Sequence, residues 1–115
     1  MTGPKRIQLR RTKGWRKPEN TVVVSRPSNF GNPFTVKGAY EAGIPNPQEA
    51  AVEAFRDWLN GDPWACPADD DFEARRRWIL DHVADLRGKN LACWCRHDQP
   101  CHADVLLEMA NAEDG

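Results

Sequence analysis

The chain has 115 residues, with 16 Lys+Arg, 17 Asp+Glu and a formal net charge of −1, a length that suits one domain around one hydrophobic core. No apolar run approaches the roughly 20 residues of a membrane span, and the basic stretch Met1 to Arg11 is followed by no apolar block, so neither a membrane partner nor a signal peptide is expected. The near-neutral sum hides a split: residues 1–40 hold nine Lys/Arg and one Asp/Glu, net +8, whereas residues 41–115 hold seven and sixteen, net −9.

In chain order, Arg6 to Arg10 alternates Ile7 and Leu9 with Arg6, Gln8 and Arg10, the period of a half-buried strand with a basic outer face. A loop with Gly14 and Pro18 follows, and Thr21 to Ser25 is a β-branched run suited to a strand buried on both faces. Arg26 to Phe34 is dense in turn formers and reads as a loop carrying two aromatics. Asn46, Pro47 and Glu49 read as an N-cap, first helical position and capping box. The helix they open runs to about Leu59, with Val52, Phe55, Trp58 and Leu59 as its buried stripe. A loop over residues 62–69 leads to a second helix from about Asp70 to Leu86, turning Phe72, Ile79, Val83 and Leu86 inward, with Asp69, Asp70 and Asp71 as its cap and acidic first turn. Asn90 to Cys95 is a short apolar strand, expected at the sheet centre, and Pro100 to about Asn111 is a third helix with Val105, Leu106 and Met109 buried.

The expected fold is therefore α/β. It is a single compact domain over residues 1–115, core 6–111 with the ends as candidates for disorder, a small mixed sheet and three main helices in the order β-β-α-α-β-α.

Cys93-x-Cys95-x5-Cys101-His102 is the strongest chemical signal. It gathers three thiols and an imidazole where a strand gives way to a helix, the place where open α/β sheets bind ligands. Three readings stand side by side. Cys101 is an activated thiol with His102 or His97 as its base; or Cys93, Cys95, Cys101 and His102 bind zinc, although no C-x2-C knuckle is present; or the cysteines are small buried hydrophobes. With no export signal, reduced thiols in a cytoplasm are the expectation. The N–H groups of the last helix, with Arg96 beside them, form a candidate anion site. Cys66 lies in a separate loop, and His82 reads as structural.

Arg10, Arg11, Lys13, Arg16 and Lys17, with Trp15 among them, resemble a phosphate-binding surface with an aromatic for stacking. The alternative is a solvated basic loop that pairs with the acidic second half.

Together, Arg26-Pro-Ser-Asn-Phe-Gly-Asn-Pro-Phe34 and Leu91-Ala-Cys-Trp-Cys…Pro-Cys-His-Ala-Asp-Val-Leu106 resemble the family catalogued as domain of unknown function 4326. That family is common in actinobacteria and their phages, and the likeness extends from Ile7 to Asn111. It implies shared positions at Arg26, Pro27, Gly31, Asn32, Pro33, Cys93, Cys95, Cys101, His102 and Asp104, and it implies the cytoplasm of a bacterial host; it supplies no reaction. A looser likeness is to an α/β family with a Cys-His-Arg motif, in which Ala103 stands here for the Arg.

The two segments suggest one site, with Asn29 and Asn32 reading a nucleobase and Arg26 its phosphate beside Gly31 and Arg10. The leading expectation is an enzyme acting on a nucleotide or nucleic-acid component, with Cys101 and His102 at its centre and Asp104 supporting them. The alternatives are a zinc-stabilised nucleic-acid-binding or host-interaction module, and an anion- or nucleotide-binding protein. The sequence leaves open whether the chain catalyses anything.

Overall fold

Leu91, Ala92 and Cys93 are an uninterrupted apolar run, and a run of this kind is stable as a strand only when covered on both faces. All three are buried in the computed structural model, which describes residues 4–25 and 28–112. They belong to β3 (Asn90–Cys93), the centre of a three-stranded sheet with β1 (Arg6–Gln8) on one side and β2 (Thr21–Val23) on the other. Arg6, Ile7 and Gln8 pair with Leu91, Ala92 and Cys93, and Thr21, Val22 and Val23 with Asn90, Leu91 and Ala92.

Both ladders are parallel, so the sheet is not mixed. Neither connection is a hairpin: residues 9–20 carry β1 to β2, and several helices separate β2 from β3, as parallel pairing requires. Because β2 is an edge strand, Thr21 to Val23 are only half-buried; full burial begins at Val24 and Ser25.

Helix α1 (Val36–Glu41) is capped by Thr35, whose hydroxyl accepts from the Gly38 N–H at 2.9 Å; the sequence pattern did not announce it. Helix α2 (Pro47–Leu59) follows the reading from sequence, burying Val52, Phe55, Trp58 and Leu59. Its cap does not: Asn46 sits in the left-handed region at φ 52° and makes no side-chain cap bond. Helix α3 (Asp70–His82) is capped by Asp69, which accepts from the N–H groups of Asp71 and Phe72. A 3-10 turn over Val83–Leu86 continues it and buries Leu86. Helix α4 (His102–Asn111) packs against β1, β3, α2 and that turn.

The segment between β2 and α1 is irregular and fastened by its two aromatics. Phe30 meets Trp78 edge-on at 4.9 Å, and Phe34 meets Trp58 and Phe72, each at 5.9 Å. Arg26 and Pro27 within this segment, and the extreme ends of the chain, lie outside the described residues. No helix among the described residues is long and apolar enough to cross a membrane.

Candidate metal centre and cleft

Alternation along β3 and its extension puts Cys93 and Cys95 on the same side, and their sulfurs lie 3.8 Å apart. The chain then turns back through residues 96–99, where the Gln99 N–H meets the Arg96 carbonyl at 3.1 Å. It enters α4 at Cys101, which is the extended N-cap and not part of the first helical turn. The three sulfurs of Cys93, Cys95 and Cys101 all lie within 4.8 Å of one another. All four cysteines of the chain are free thiols. Cys66 is elsewhere, facing the Trp58 carbonyl.

Two side chains that the sequence did not single out hold this turn. Arg6, only 9% exposed, reaches from β1 to the Arg96 and His97 carbonyls at 2.9 and 2.8 Å and to the Asp104 carboxylate at 2.9 Å. The alternation of β1 had turned Arg6 to solvent; α4 packs on β1 and leaves the guanidinium interior partners. Gln48 of α2 donates to the Pro100 carbonyl at 2.7 Å and approaches Cys95 Sγ at 3.5 Å.

The thiols share protons unequally. Cys93 is held down to about 3 by the Cys101 S–H first and the Cys95 S–H second, which outweigh burial. Cys101 is pushed far up, by its hydrogen bond to Cys93 first, by that to Cys95 and by burial, against the pull of the Ala103 N–H. Cys95 is drawn down by the Cys101 S–H, but the Cys93 sulfur and burial raise it overall. Of the three, Cys93 is the thiol favoured to ionise and Cys95 and Cys101 the ones held toward the protonated form. Cys101, expected as the reactive thiol, is fully buried and is the proton-bearing member.

His102 is buried at 6% exposure. A carbonyl oxygen only accepts, so the 2.8 Å contact of Nε2 with the Val24 oxygen fixes Nε2 as the donor. Nδ1 then faces Cys101 Sγ at 3.7 Å, and the ring packs edge-on to Phe55. Among the described residues the ligand atoms that lie within 4.8 Å of one another are the sulfurs of Cys93, Cys95 and Cys101, a group that does not include the imidazole. Asp104, expected to support the pair catalytically, accepts from the Cys101 N–H at 3.3 Å as well as from Arg6. With that N–H answered by Asp104 and the Ala103 N–H turned to the Cys101 sulfur, the start of α4 is largely satisfied from within the chain. Arg96, expected at the anion site, is exposed and pairs with Asp98 at 3.0 Å.

Beside the thiols opens a cleft of about 230 Å³, whose walls include Ser25, Asn32, Phe34, Gln48, Trp94 and His102 along with Cys93 and Cys95. It lies beyond the carboxyl ends of β2 and β3, where parallel sheets place ligands. The Gly31-Asn32-Pro33 loop and the Cys-His turn do meet here, as expected. Asn32 is already engaged, however: its amide donates to the Ala51 carbonyl at 3.0 Å and its oxygen accepts from the Phe34 N–H at 2.9 Å. Asn29 is exposed and Gly31 is buried, bonded through its N–H to Ser28; neither lines the cleft, nor does Arg10. Arg26 lies outside the described residues.

In their place the cleft offers the Ser25 hydroxyl and Gln48 Oε1, for which no hydrogen bond forms among the described residues, and the Trp94 ring, 46% exposed, with the Arg11 guanidinium 5.0 Å from its centroid. The sequence signal for Trp94 was its place inside Cys-Trp-Cys; for Ser25 and Gln48 there was none. Among the described residues no carboxylate lines the cleft.

No curated protein and no solved structure matches the chain. The profile of one family matches residues 7–112, a span that takes in the Phe34 loop, the three thiols and α4; the chain belongs to the family described as Domain of unknown function (DUF4326).

Proposed function

We propose that the chain is a zinc-binding α/β protein in which Cys93, Cys95 and Cys101 hold one ion at the wall of a cleft that receives a nucleotide or nucleic-acid component. The observation that carries this reading is the sulfur spacing. Zinc bound tetrahedrally at about 2.3 Å from each sulfur sets neighbouring sulfurs about 3.8 Å apart, and the Cys93–Cys95 separation is 3.8 Å with Cys101 inside 4.8 Å of both. Among the described residues no fourth ligand joins the group. Three protein ligands with a fourth position left to solvent or substrate is the arrangement of catalytic zinc sites, whereas structural sites are closed by four; this favours the enzyme over the closed zinc module. Four free thiols fit a reducing compartment such as a bacterial cytoplasm.

The size and lining of the cleft support the ligand class. At about 230 Å³ it falls below the roughly 300–1,000 Å³ of sites for drug-sized molecules, so it suits a planar fragment such as a base, with Phe34 and Trp94 for its faces and Ser25 and Gln48 for its edge.

Protein purified without added metal, then loaded with zinc and desalted, is measured for zinc per chain. About one equivalent is expected in the wild type and in Cys66→Ser, with loss in Cys93→Ser, Cys95→Ser and Cys101→Ser. A folded wild type that retains no zinc, and shows no thiolate-to-metal charge-transfer absorption with cobalt, overturns the reading.

A further inference from the structure

The segment that joins β1 to β2 has a route fixed by topology. Both strands run parallel to β3 and flank it, so residues 9–20 start at the cleft end of the sheet and finish at the opposite end. Hydrogen bonds pin both limits: the Leu9 N–H donates to the Cys93 carbonyl at 2.8 Å, and the Asn20 carbonyl accepts from the Asn90 N–H at 2.9 Å. Between them Arg10, Arg11, Lys13, Arg16 and Lys17 are all exposed, with no acid among residues 10–17. None of the five forms an ion pair among the described residues. A cationic strip thus leads away from the cleft, and at its cleft end Arg11 lies over the half-exposed Trp94.

We infer that this strip and the Arg11–Trp94 stack form a binding track for single-stranded nucleic acid, with a base on the stack and the following phosphates on the strip. An indole or guanidinium plane accepts any base face, and unpaired cations on an irregular segment follow a flexible backbone. Five cations exceed what one nucleotide's phosphate uses, which favours a strand over a free nucleotide. The inference rests on the nucleobase reading of the cleft and extends it from one nucleotide to several; it does not require the metal.

The test is fluorescence anisotropy of a labelled dT12 strand, with a mononucleotide, TMP, as competitor. If three to five phosphates are engaged, the logarithm of affinity falls against that of salt with a slope of about −2 to −3.5. That corresponds to about a 20- to 130-fold loss between 50 and 200 mM salt. Trp94→Ala is expected to weaken binding about fivefold or more. Arg11→Ala and the pair Lys13→Ala/Arg16→Ala are expected to weaken it and flatten the slope. Arg77→Ala, an exposed cation on α3 already paired with Glu73, is expected to leave binding unchanged, and circular dichroism of each variant confirms its fold. A slope near zero, or strand binding indifferent to Trp94→Ala and Arg11→Ala, overturns the inference. So does a TMP affinity equal to that of dT12, which would leave the base-binding cleft standing without the track. Duplex DNA binding as tightly as the single strand also overturns it, because a duplex cannot offer an unstacked base to Trp94.

Discussion

Arg6→Ala is the sharpest test of how the thiol turn is held. The guanidinium forms one ion pair and two hydrogen bonds to main-chain carbonyls across 90 or more residues of sequence. Asp104 is 46% exposed, so its pairing with Arg6 is screened and contributes about 1 kcal/mol or less. The two bonds to the Arg96 and His97 carbonyls contribute about 0.5–1.5 kcal/mol each, and the arginine stem, packed between β1 and α4, adds apolar contact. Together these give a loss of about 2–4 kcal/mol, read as a lower urea midpoint at unchanged m. The metal arm is separate. With the turn no longer fixed, Cys93, Cys95 and Cys101 must be ordered by the ion, and a zinc affinity about 10- to 100-fold lower is expected, the usual effect of removing an outer partner of a metal site. A chelator competition measures it. Arg6→Lys keeps the charge but cannot span two carbonyls and a carboxylate together, so it should fall between the wild type and Arg6→Ala in both arms. An Arg6→Ala protein with the wild-type midpoint and zinc affinity would refute the clamp.

His102→Phe removes the donor to the Val24 carbonyl while keeping the packing against Phe55. It should cost about 1–3 kcal/mol in urea unfolding and leave one zinc bound; loss of zinc would put the imidazole among the ligands. In chelated protein at neutral pH, iodoacetamide followed by mass mapping should modify Cys93 and Cys95 before Cys101. Cys93, lowered, and Cys95 both line the cleft, whereas Cys101 is raised and does not line it; Cys101 labelled first would reverse the proton order. Asn32→Ala loses one hydrogen bond that ties its loop to α2 and one within the loop and should cost about 1–3 kcal/mol, while Asn29→Ala, exposed, should stay within about 0.5 kcal/mol of the wild type. Equal midpoints for the two would return Asn32 to a purely ligand-reading role.

What could be read from the sequence was local. The 3.6-residue spacing of Val52, Phe55 and Leu59 fixed the face of α2, the apolar run at Leu91 placed β3 at the centre, and strand alternation put Cys93 beside Cys95. Asp69 as a cap follows from the same short-range chemistry. What could not be read depends on partners far along the chain. Gln48 meets residues 47 and 52 positions away, and Arg6 acquires its interior partners only because α4 covers β1. Helix α1 is six residues long and holds Gly38, too short for a periodic signal. The capping box expected at Asn46 fails because that residue adopts a left-handed conformation, which the residue type permits but does not announce.

The charge split is where local and distant effects separate most clearly. If the basic third were neutralised by the acidic remainder, its cations would contact those acids. Between residues 4 and 25 Arg6 alone forms an ion pair among the described residues. Two acids of the second half reach back to the first, Asp104 to Arg6 and Glu41 to Lys37, and five are answered within their own half: Glu73 by Arg76 and Arg77, Glu108 by Arg56, Asp98 by Arg96, Asp57 by the Trp64 indole, and Asp69 by the start of α3. None of these pairs involves the strip from Arg10 to Lys17, so a net charge of −1 coexists with five exposed cations, unpaired among the described residues, that start beside the cleft. Cations so placed would draw anions toward the thiols over about one Debye length, roughly 10 Å at 0.1 M salt. Zinc on three thiolates would itself bring a net charge of −1 to the cleft wall, so an anionic ligand arriving there depends on Arg11 and its neighbours to offset that charge.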